Sequence, residues 1–388
     1  MNVVDLFSGA GGLTFGFYYK KWGNKFVRNK KYNFLFANEY DHAACEAFRH
    51  NFPRIPLLEC DIATITRELL EQKNINIADV DLVIGGPPCQ SYSTVGKRQY
   101  DQRAKMYQEY RRMLVLLKPK MFIFENVLGL LSMKNDEGNP VINDIYDMFS
   151  NIDNEVGYTI QKEVLNAKDY GVPQSRERVF LVGIRNDVQM IWKFPSKTVK
   201  NDNYLTVSDA ISDLPHLDME QESNVYATQP QNEYQVLMRQ GCTKLTEHFN
   251  GEYGDKMQTI MAAVPEGEGK DYINTLVDNG TLSEDYRLTS GYKNTYGRLW
   301  WNRPCTTITN NLGRPSSLRC IHPIDNRALT TREGARLQSF PDMCEFVGSK
   351  YDKNSQVGNA VPPLLAMNIS KEVTRSFEEY LRGDENHE

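Results

Sequence analysis

Cys89 is the residue whose type and setting point most directly to chemistry. It lies in the segment Gly-Gly-Pro-Pro-Cys-Gln-Ser-Tyr-Ser, residues 85–93, directly after the β-rich run 80–84. Such a run predicts a buried strand, and the carboxyl ends of strands are where open α/β sheets carry their active sites. Two prolines restrict the backbone ahead of the thiol. Because a thiolate is a strong nucleophile, Cys89 is a candidate nucleophile, with a buried structural cysteine as the alternative.

A carboxyl group and two arginines follow in settings that suit the same site. Glu125 ends the β-rich run 121–124, so we expect it beside Cys89 at one edge of the sheet. Away from bulk water its pKa should be raised, which suits proton donation; the alternative is a helix N-cap. Arg176 and Arg178 share one side of an extended segment, because side chains alternate there. Paired guanidinium groups bind a carbonyl oxygen, a phosphate or a carboxylate, and surface salt bridging is the alternative.

Three segments indicate a cofactor that contains adenosine. Residues 5–12 read Asp-Leu-Phe-Ser-Gly-Ala-Gly-Gly, and their glycines let a ligand approach the backbone and the start of the next helix. Glu39 ends the second β-rich run and suits two ribose hydroxyls, while Asp61 suits an adenine amino group. Because NAD-binding proteins also carry a glycine turn and an acidic residue, NAD is a competing cofactor on this evidence.

A thiolate, a protonating carboxyl group and paired arginines can together activate an unsaturated ring. Carbon 5 of cytosine is a poor nucleophile, but addition of a thiolate to carbon 6 makes it enamine-like when ring nitrogen 3 is protonated or hydrogen-bonded. A sulfonium methyl donor can then alkylate carbon 5, and loss of its proton with β-elimination frees the enzyme. An NAD-dependent oxidoreductase would give Cys89, Glu125 and Arg178 no joint role.

The alternation of β-rich and helix-like segments predicts how these residues are positioned. The β-rich runs are 3–7, 34–37, 82–84, 121–124, 158–164 and 178–184, and the helix-like segments are 41–50, 63–73 and 104–117. This order predicts an α/β fold with a doubly wound, mostly parallel sheet.

The composition of the sequence changes after Phe194-Pro195. Residues 196–300 are polar and have no clear period, which predicts a smaller domain of low helical content. The helical pattern of 364–381 should pack back on the first domain. We therefore predict one domain of residues 1–195 plus 355–388, which holds the candidate catalytic residues, and a smaller domain with hinge of residues 196–354.

Composition narrows the class of protein. The chain has 388 residues, a net charge of −5 and seven cysteines without Cys-x-x-Cys pairing, and no apolar stretch long enough for a membrane span. Its start shows no signal peptide, so we expect a cytoplasmic protein without a membrane partner.

The negative net charge does not favour binding of nucleic acid, but clusters of basic residues can bind phosphates locally. One cluster follows Cys89 (Lys97, Arg98, Arg103, Lys105, Arg111, Arg112), and another is interpreted as a solvated face (Lys20, Lys21, Lys25, Arg28, Lys30, Lys31).

Taken in order, these segments resemble the cytosine carbon-5 DNA methyltransferase family. The likeness covers nearly the whole chain except 196–297. It runs through 5–12, 38–39, 61, 86–93, 125–127, 174–178, 330–342 and 356–363. The sequence departs from the family in the lengthened region 20–32 and at Cys60, where the family usually has Gly.

The resemblance implies S-adenosylmethionine as the cofactor and no metal ion. Phe7 would stack on the adenine, Glu39 would bind the ribose and Asp61 the adenine edge. The other residues implied at this site are Gly9, Gly11, Gly12, Ile62, Pro87 and Asn359.

The resemblance also implies the catalytic roles. Cys89 would be the nucleophile, Glu125 would contact ring nitrogen 3 and the exocyclic amine, and Arg178 would meet the cytosine carbonyl oxygen. Arg176 would help hold the catalytic loop or the intermediate. Residues 90–107 match the family's mobile loop, whose polar members would close on the DNA backbone (Ser93, Lys97, Arg98).

Double-stranded DNA is the implied substrate, and its target base must flip out of the duplex. Residues 196–300 would recognise the target, with candidate contacts from Arg287, Lys293, Arg298, Arg314, Tyr286, Tyr292 and Tyr296. We expect a monomeric modification enzyme of prokaryotic or phage type whose counterpart is a restriction endonuclease. The alternatives are a tRNA cytosine-5 methyltransferase, although its Cys-Phe-Thr segment is replaced here by Cys242-Thr243-Lys244, and an inactive DNA-binding subunit, although this chain has both Cys89 and Glu125.

Overall fold

A computed structural model describes residues 1–88, 106–135, 137–153, 156–200 and 202–384. The strands are β1 (Asn2–Leu6), β2 (Tyr19–Trp22), β3 (Lys25–Arg28), β4 (Asn33–Glu39), β5 (Leu57–Glu59), β6 (Leu82–Gly85), β7 (Met121–Val127), β8 (Tyr158–Asn166), β9 (Glu177–Arg185), β10 (Gly297–Arg298) and β11 (Arg319–Ile321). The helices are α1 (Gly12–Tyr18), α2 (His42–Asn51), α3 (Arg67–Gln72), α4 (Met106–Leu117), α5 (Val141–Ser150), α6 (Val207–Ile211), α7 (Glu233–Met238), α8 (Asp255–Ala263), α9 (Lys270–Asp278), α10 (Thr331–Leu337), α11 (Lys350–Asn359) and α12 (Pro363–Asp384). Each β-rich run of the sequence is a strand, as predicted.

Seven strands form one sheet in the order β5-β4-β1-β6-β7-β9-β8. The strands from β5 to β7 are parallel to their neighbours, whereas β9 runs antiparallel to both β7 and β8. The predicted doubly wound, mostly parallel sheet is therefore confirmed. The chain builds outward from β1 and then returns to β6 on the other side, so the topological switch point lies between these two strands.

The central strands are apolar because helices cover both faces of the sheet. Val3, Val4 and Leu6 of β1 are fully buried, and their side chains belong to two large apolar clusters. Asp5 is the exception in this strand. None of the described helices combines the length and apolar character needed to cross a bilayer.

Helix α12 packs against α1, which confirms the predicted return of the carboxyl-terminal helix. The Ser370 hydroxyl donates to the carbonyl oxygen of Gly16 at 2.6 Å, and the Tyr32 hydroxyl donates to the carbonyl oxygen of Ser370 at 2.6 Å. Helix α1, which follows the glycine-rich loop, is thus covered by α12, the last helix that the structure describes.

The region after residue 195 contains the short helices α6 to α9 and the small two-stranded sheet of β10 and β11. Val207, Tyr234 and Leu299 extend the apolar cluster that covers one face of the main sheet. A separate small cluster forms around Ile260 and Ile273. Burial thus runs continuously across the proposed boundary, and the domain limits stay a prediction.

The lengthened region 20–32 folds mainly as a hairpin of β2 and β3. Its lysines are exposed, as expected for a solvated face, and Trp22 is 71% exposed at its tip. Both backbone groups of Phe26 bond the Gln240 side chain, which ties the hairpin to the segment after α7.

The basic cluster after Cys89 is only partly described, because residues 89–105 lie outside the described part of the chain. Arg111 donates to the carbonyl oxygens of Met148 and Ile152. Arg112 donates to the carbonyl oxygens of Ile62 and Ile65. These two arginines therefore have backbone carbonyl partners within the protein.

Candidate active site

The loop after β1 is shaped by left-handed backbone conformations. Phe7 has φ +56°, Gly9 +53° and Gly11 +90°. A β-carbon at Gly11 would overlap the Phe52 ring, and one at Gly12 would overlap the Val361 carbonyl oxygen. A β-carbon at Gly9 would meet nothing within 4 Å, so this glycine borders open space. The loop is closely packed on one side and accessible on the other.

Glu39 holds this loop to the start of α2. Its carboxylate accepts hydrogen bonds from the backbone N–H groups of Gly9 (2.8 Å), Tyr40 (2.8 Å) and Asp41 (2.9 Å). Burial raises its pKa, and these three hydrogen bonds offset part of that effect. Because the Gly9 N–H already donates to Glu39, it is not free to bind a phosphate, and the Glu39 carboxyl group beside it disfavours a second anion. The loop is therefore poorly suited to the pyrophosphate of NAD.

Asp5 is a second buried carboxyl group below the loop, and no role for it was predicted from the sequence. The Thr14 hydroxyl donates to its Oδ2, while its Oδ1 has no hydrogen-bond partner among the described residues. Burial raises the pKa of Asp5 to about 7. The signal in the sequence was a lone acidic residue inside an otherwise apolar strand.

The remaining predicted cofactor residues lie at ends of neighbouring elements. Glu39 pairs with Glu59 in the β4–β5 register, so Asp61 follows the strand beside Glu39. The exposed Asp61 caps a 3-10 helix by accepting from the Ala63 N–H at 2.9 Å. The others are Ile62, buried in that short helix, Pro87, buried after β6, and Asn359, exposed at the end of α11.

Glu125 and Arg178 form an ion pair at the same carboxyl edge of the sheet, with 3.0 Å between Arg178 Nε and Glu125 Oε1. The Glu125 side chain is only 11% exposed and the Arg178 side chain only 12%. A β-carbon at Gly86 would lie 2.6 Å from Glu125 Oε2, and the Asn126 amide donates to the Pro87 carbonyl oxygen at 3.2 Å. The carboxylate therefore packs against the segment that leads to the predicted nucleophile. Cys89 itself lies outside the described residues.

Burial raises the pKa of Glu125, and the positive charges of Arg178 and Arg176 offset only part of this shift. The raised pKa has the direction expected from the sequence. The N-cap alternative is wrong, because Glu125 lies within β7 and the cap of the following 3-10 helix is Val127.

The two predicted arginines differ in what they contact. Arg178 reaches Glu125 because β9 runs antiparallel and pairs Arg178 with Val127, which brings its first residues to the carboxyl edge. The Arg176 guanidinium instead donates to the carbonyl oxygens of Ile308 and Gly358, each at 2.8 Å. A direct role for Arg176 at the catalytic loop or the intermediate stays a prediction.

Buried glutamines extend the contacts of Arg176. Gln174 accepts from the Ile308 N–H at 2.9 Å and donates to Gln338 Oε1 at 2.9 Å. Gln338 in turn donates to the Val357 carbonyl oxygen at 2.8 Å. Sequence reasoning assigned no function to these side chains, and only their place in family-like segments marked them.

Several candidate base-reading residues have internal partners instead. Arg298 is buried and donates to the carbonyl oxygens of Met261 and Val264, so this candidate is corrected to a structural residue. Arg287 pairs with Glu284 and Asp278. Lys293, Arg314 and Tyr292 are exposed.

A model of the family described as C-5 cytosine-specific DNA methylase matches residues 1–375. The chain belongs to this family. It is accordingly an enzyme of the DNA (cytosine-5)-methyltransferase class, as its sequence indicated, and the oxidoreductase alternative is set aside.

Among the similar proteins of this methylase family is the Type II methyltransferase M.DdeI of Desulfomicrobium norvegicum. It is 36% identical over 394 residues, which cover 97% of this chain and 89% of that protein. Type II methyltransferase M1.HphI of Haemophilus parahaemolyticus is 32% identical over 379 residues, covering 97% and 87%. A solved structure described as a DNA modification methyltransferase encoded within an E. coli prophage has a TM-score of 0.73 at 24% identity, covering 97% and 99% of the two chains. The last likeness supports the methyltransferase fold.

Proposed function

We propose that this enzyme transfers a methyl group from S-adenosylmethionine to carbon 5 of a flipped cytosine in a specific duplex DNA site. The modification role in a Type II restriction–modification system is supported by the names of the relatives, which are Type II methyltransferases. We propose further that it acts as a monomer in the cytoplasm and has a restriction endonuclease as its functional counterpart.

The Glu125–Arg178 pair carries this proposal. It is buried at the carboxyl edge of the sheet, and its carboxylate lies against Gly86, three residues before Cys89. A carboxyl group with a raised pKa can donate a hydrogen bond to ring nitrogen 3 of cytosine. The neighbouring guanidinium can bind the adjacent carbonyl oxygen.

The residues around the β1 loop fit S-adenosylmethionine by their chemistry. Gly9 borders open space, and Glu39 and Asp5 make the surroundings acidic, which suits a cationic ligand without phosphate. Phe7, Glu39, Asp61 and Asn359 would hold the adenosine and amino-acid parts. Once bound, its sulfonium centre supplies the electrophilic methyl group that carbon 5 accepts.

On the protein's side, the Cys89 thiolate would form a bond to carbon 6 of cytosine. Glu125 would stabilise the electron pair that moves toward ring nitrogen 3, so that carbon 5 becomes enamine-like and nucleophilic. After carbon 5 has been alkylated, a base removes its proton, the carbon 6–sulfur bond breaks, and the thiolate leaves. Flipping the base costs a few kcal/mol of stacking and pairing, which contacts to the pocket must offset.

Methyl transfer is tested with S-adenosylmethionine labelled in its methyl group, supplied with duplex DNA and with tRNA in parallel. We expect label in DNA, and bisulfite sequencing of a plasmid from expressing cells should then locate 5-methylcytosine at one recurring sequence. Label confined to tRNA would overturn the DNA assignment.

The covalent step is tested with duplexes that carry 5-fluorocytosine at the target, because fluorine cannot leave as a proton does. We expect a trapped adduct that peptide mapping assigns to Cys89. Cys89→Ser should abolish both the adduct and methyl transfer, while the half-buried control Cys242→Ser retains both. An adduct that persists in Cys89→Ser would contradict the mechanism.

A further inference from the structure

Arg176 lies at the centre of a buried polar cluster that joins two distant parts of the chain. One guanidinium nitrogen donates to Ile308 and the other to Gly358, residues 132 and 182 positions away in sequence. Only 1% of Arg176 is exposed. We name residues 305–311 the recognition segment and residues 356–363 the cofactor segment. One side chain thus bridges both segments.

The neighbouring contacts make this bridge rigid. Gln174 accepts from the Ile308 N–H, and Gln338 donates to the Val357 carbonyl oxygen. A β-carbon at Gly358 would overlap the backbone of Thr309 and Asn310, so the two segments touch directly at this point. The segments therefore cannot shift independently without breaking buried hydrogen bonds.

Each segment leads to a different binding region. On one side, the carbonyl oxygen of Val361 packs against Gly12 at the start of α1, and Asn359 follows Gly358 directly. On the other, the recognition segment continues into a loop that exposes Arg314. The bridge therefore lies between the proposed cofactor site and the region proposed to meet DNA.

We infer that Arg176 is a positioning residue that couples cofactor binding to DNA binding. A ligand bound at either site restrains the segment that leads to it. The Arg176 guanidinium then restrains the other segment as well, through its two hydrogen bonds to backbone carbonyl oxygens. Arginine suits this role because its planar fork holds two acceptors in fixed directions, which a lysine ammonium does not. The inference rests on the proposed function, since that function assigns a ligand to each segment.

The coupling factor is the Kd of S-adenosylhomocysteine for the free enzyme divided by its Kd with saturating target duplex. Calorimetry gives both values without turnover, and reciprocity requires the same factor for the duplex. We expect a wild-type factor of about fivefold or more, the lower range of measured couplings. In Arg176→Lys the factor should fall close to one, while the Kd of the free enzyme changes little.

Arg332→Lys is the matched control. Arg332 is equally buried, but its hydrogen bonds go to Thr246, Glu247 and Cys344, and not to either segment. We expect this variant to lose thermal stability and to keep the coupling factor.

Gly358→Ala tests the bridge from its other end and leaves Arg176 in place. The added methyl group forces the segments apart, so the coupling factor should fall here too.

Arg176→Lys also preserves the positive charge near Glu125, so its pH–rate profile should keep the wild-type shape, whereas Arg176→Gln should shift that profile upward in pH.

The outcomes separate this inference from the proposed function. If the enzyme methylates DNA and both Arg176→Lys and Gly358→Ala retain the wild-type coupling factor, the inference is wrong and the function stands. Equal loss of coupling in Arg332→Lys would also overturn it, because general destabilisation would then explain the effect. Failure of wild-type enzyme to methylate DNA would overturn the function and the inference together.

Discussion

Among the buried carboxylates that face arginines in the described part of the chain, Glu125 at the edge of the main sheet and Glu333 in α10 differ most usefully. Glu125 receives a single contact from Arg178, at 3.0 Å. Glu333, in the first turn of α10, accepts both ends of the Arg327 fork at 2.7 and 2.8 Å and also the N–H of the N-cap residue Thr330 at 2.8 Å. Among the described residues, the first carboxylate is left with unused hydrogen-bonding capacity, whereas the second accepts three hydrogen bonds.

The pKa shifts of the two groups follow this difference. Burial raises the pKa of Glu125, and its arginines offset only part of the shift. For Glu333, burial would also raise the pKa, but the charge and hydrogen bonds of Arg327 hold it well below its ordinary value. A saturated carboxylate stabilises the fold, whereas an under-compensated one can exchange a proton with a substrate.

The largest effect should come from Glu125→Gln. This change removes the titrating carboxyl group but keeps its shape, so we expect methyl transfer to slow by about 10²–10⁴-fold, the usual contribution of general acid–base catalysis. DNA affinity should change little, and the melting temperature should fall only by the loss of the one ionic contact to Arg178. Single-turnover rates, binding isotherms and thermal melts measure the three quantities. A variant that loses mainly affinity would assign Glu125 to structure.

Glu333→Gln should show the opposite pattern. Breaking a buried ion pair costs about 3–5 kcal/mol, and we expect roughly the lower value because Asp325 still pairs with Arg327. Denaturant unfolding measures this loss, while the rate per folded molecule should stay near wild type. Glu345→Gln removes an exposed partner of His50 and serves as the control with almost no cost. Unchanged stability in Glu333→Gln would contradict the stabilising role that distinguishes Glu333 from Glu125.

Gly86→Ala sharpens the comparison without changing either carboxylate. Its β-carbon would stand 2.6 Å from Glu125 Oε2, so the Glu125 carboxylate must shift from its position in the ion pair with Arg178. We expect about a tenfold to hundredfold slower chemical step, as a displacement of about 1 Å can cause. Gly254→Ala, where a β-carbon meets nothing within 4 Å, should leave the rate unchanged. Wild-type rates in both variants would show that the Glu125 position is not critical.

The smallest effect concerns stability at low pH. Because the folded pKa of Glu333 is depressed, its stabilisation is complete above the unfolded value of about 4.3 and is lost as the pH falls toward the folded value. Wild-type protein should therefore lose stability more steeply below about pH 4 than Glu333→Gln does. Urea unfolding at a series of pH values gives the two slopes. Identical slopes would mean that the Glu333 pKa is not depressed.

Much of the site could be predicted because its residues end β-rich runs. Glu39 and Glu125 follow such runs, and parallel strands bring their carboxyl ends to one edge whatever the intervening sequence. The direction of β9 could not be read in this way, although it decides that Arg178 reaches Glu125.

The different contacts of the two arginines could not be predicted from the sequence either. Alternation places Arg176 and Arg178 on one side of an extended segment, but the Arg176 acceptors, Ile308 and Gly358, are backbone groups far along the chain. A local pattern carries no information about such partners. The same holds for Arg298, whose acceptors lie in α8 and the turn after it.

The packing of α12 on α1 has a consequence for biosynthesis. A ribosome produces α1 within the first 18 residues, but the helix that covers it begins only at Pro363. During most of translation the surface of α1 at Gly16, which Ala366 and Met367 cover in the folded protein, therefore has no native cover, and transient collapse or chaperones must protect it. Prematurely terminated products would keep this surface exposed, which makes them natural targets for cellular quality control.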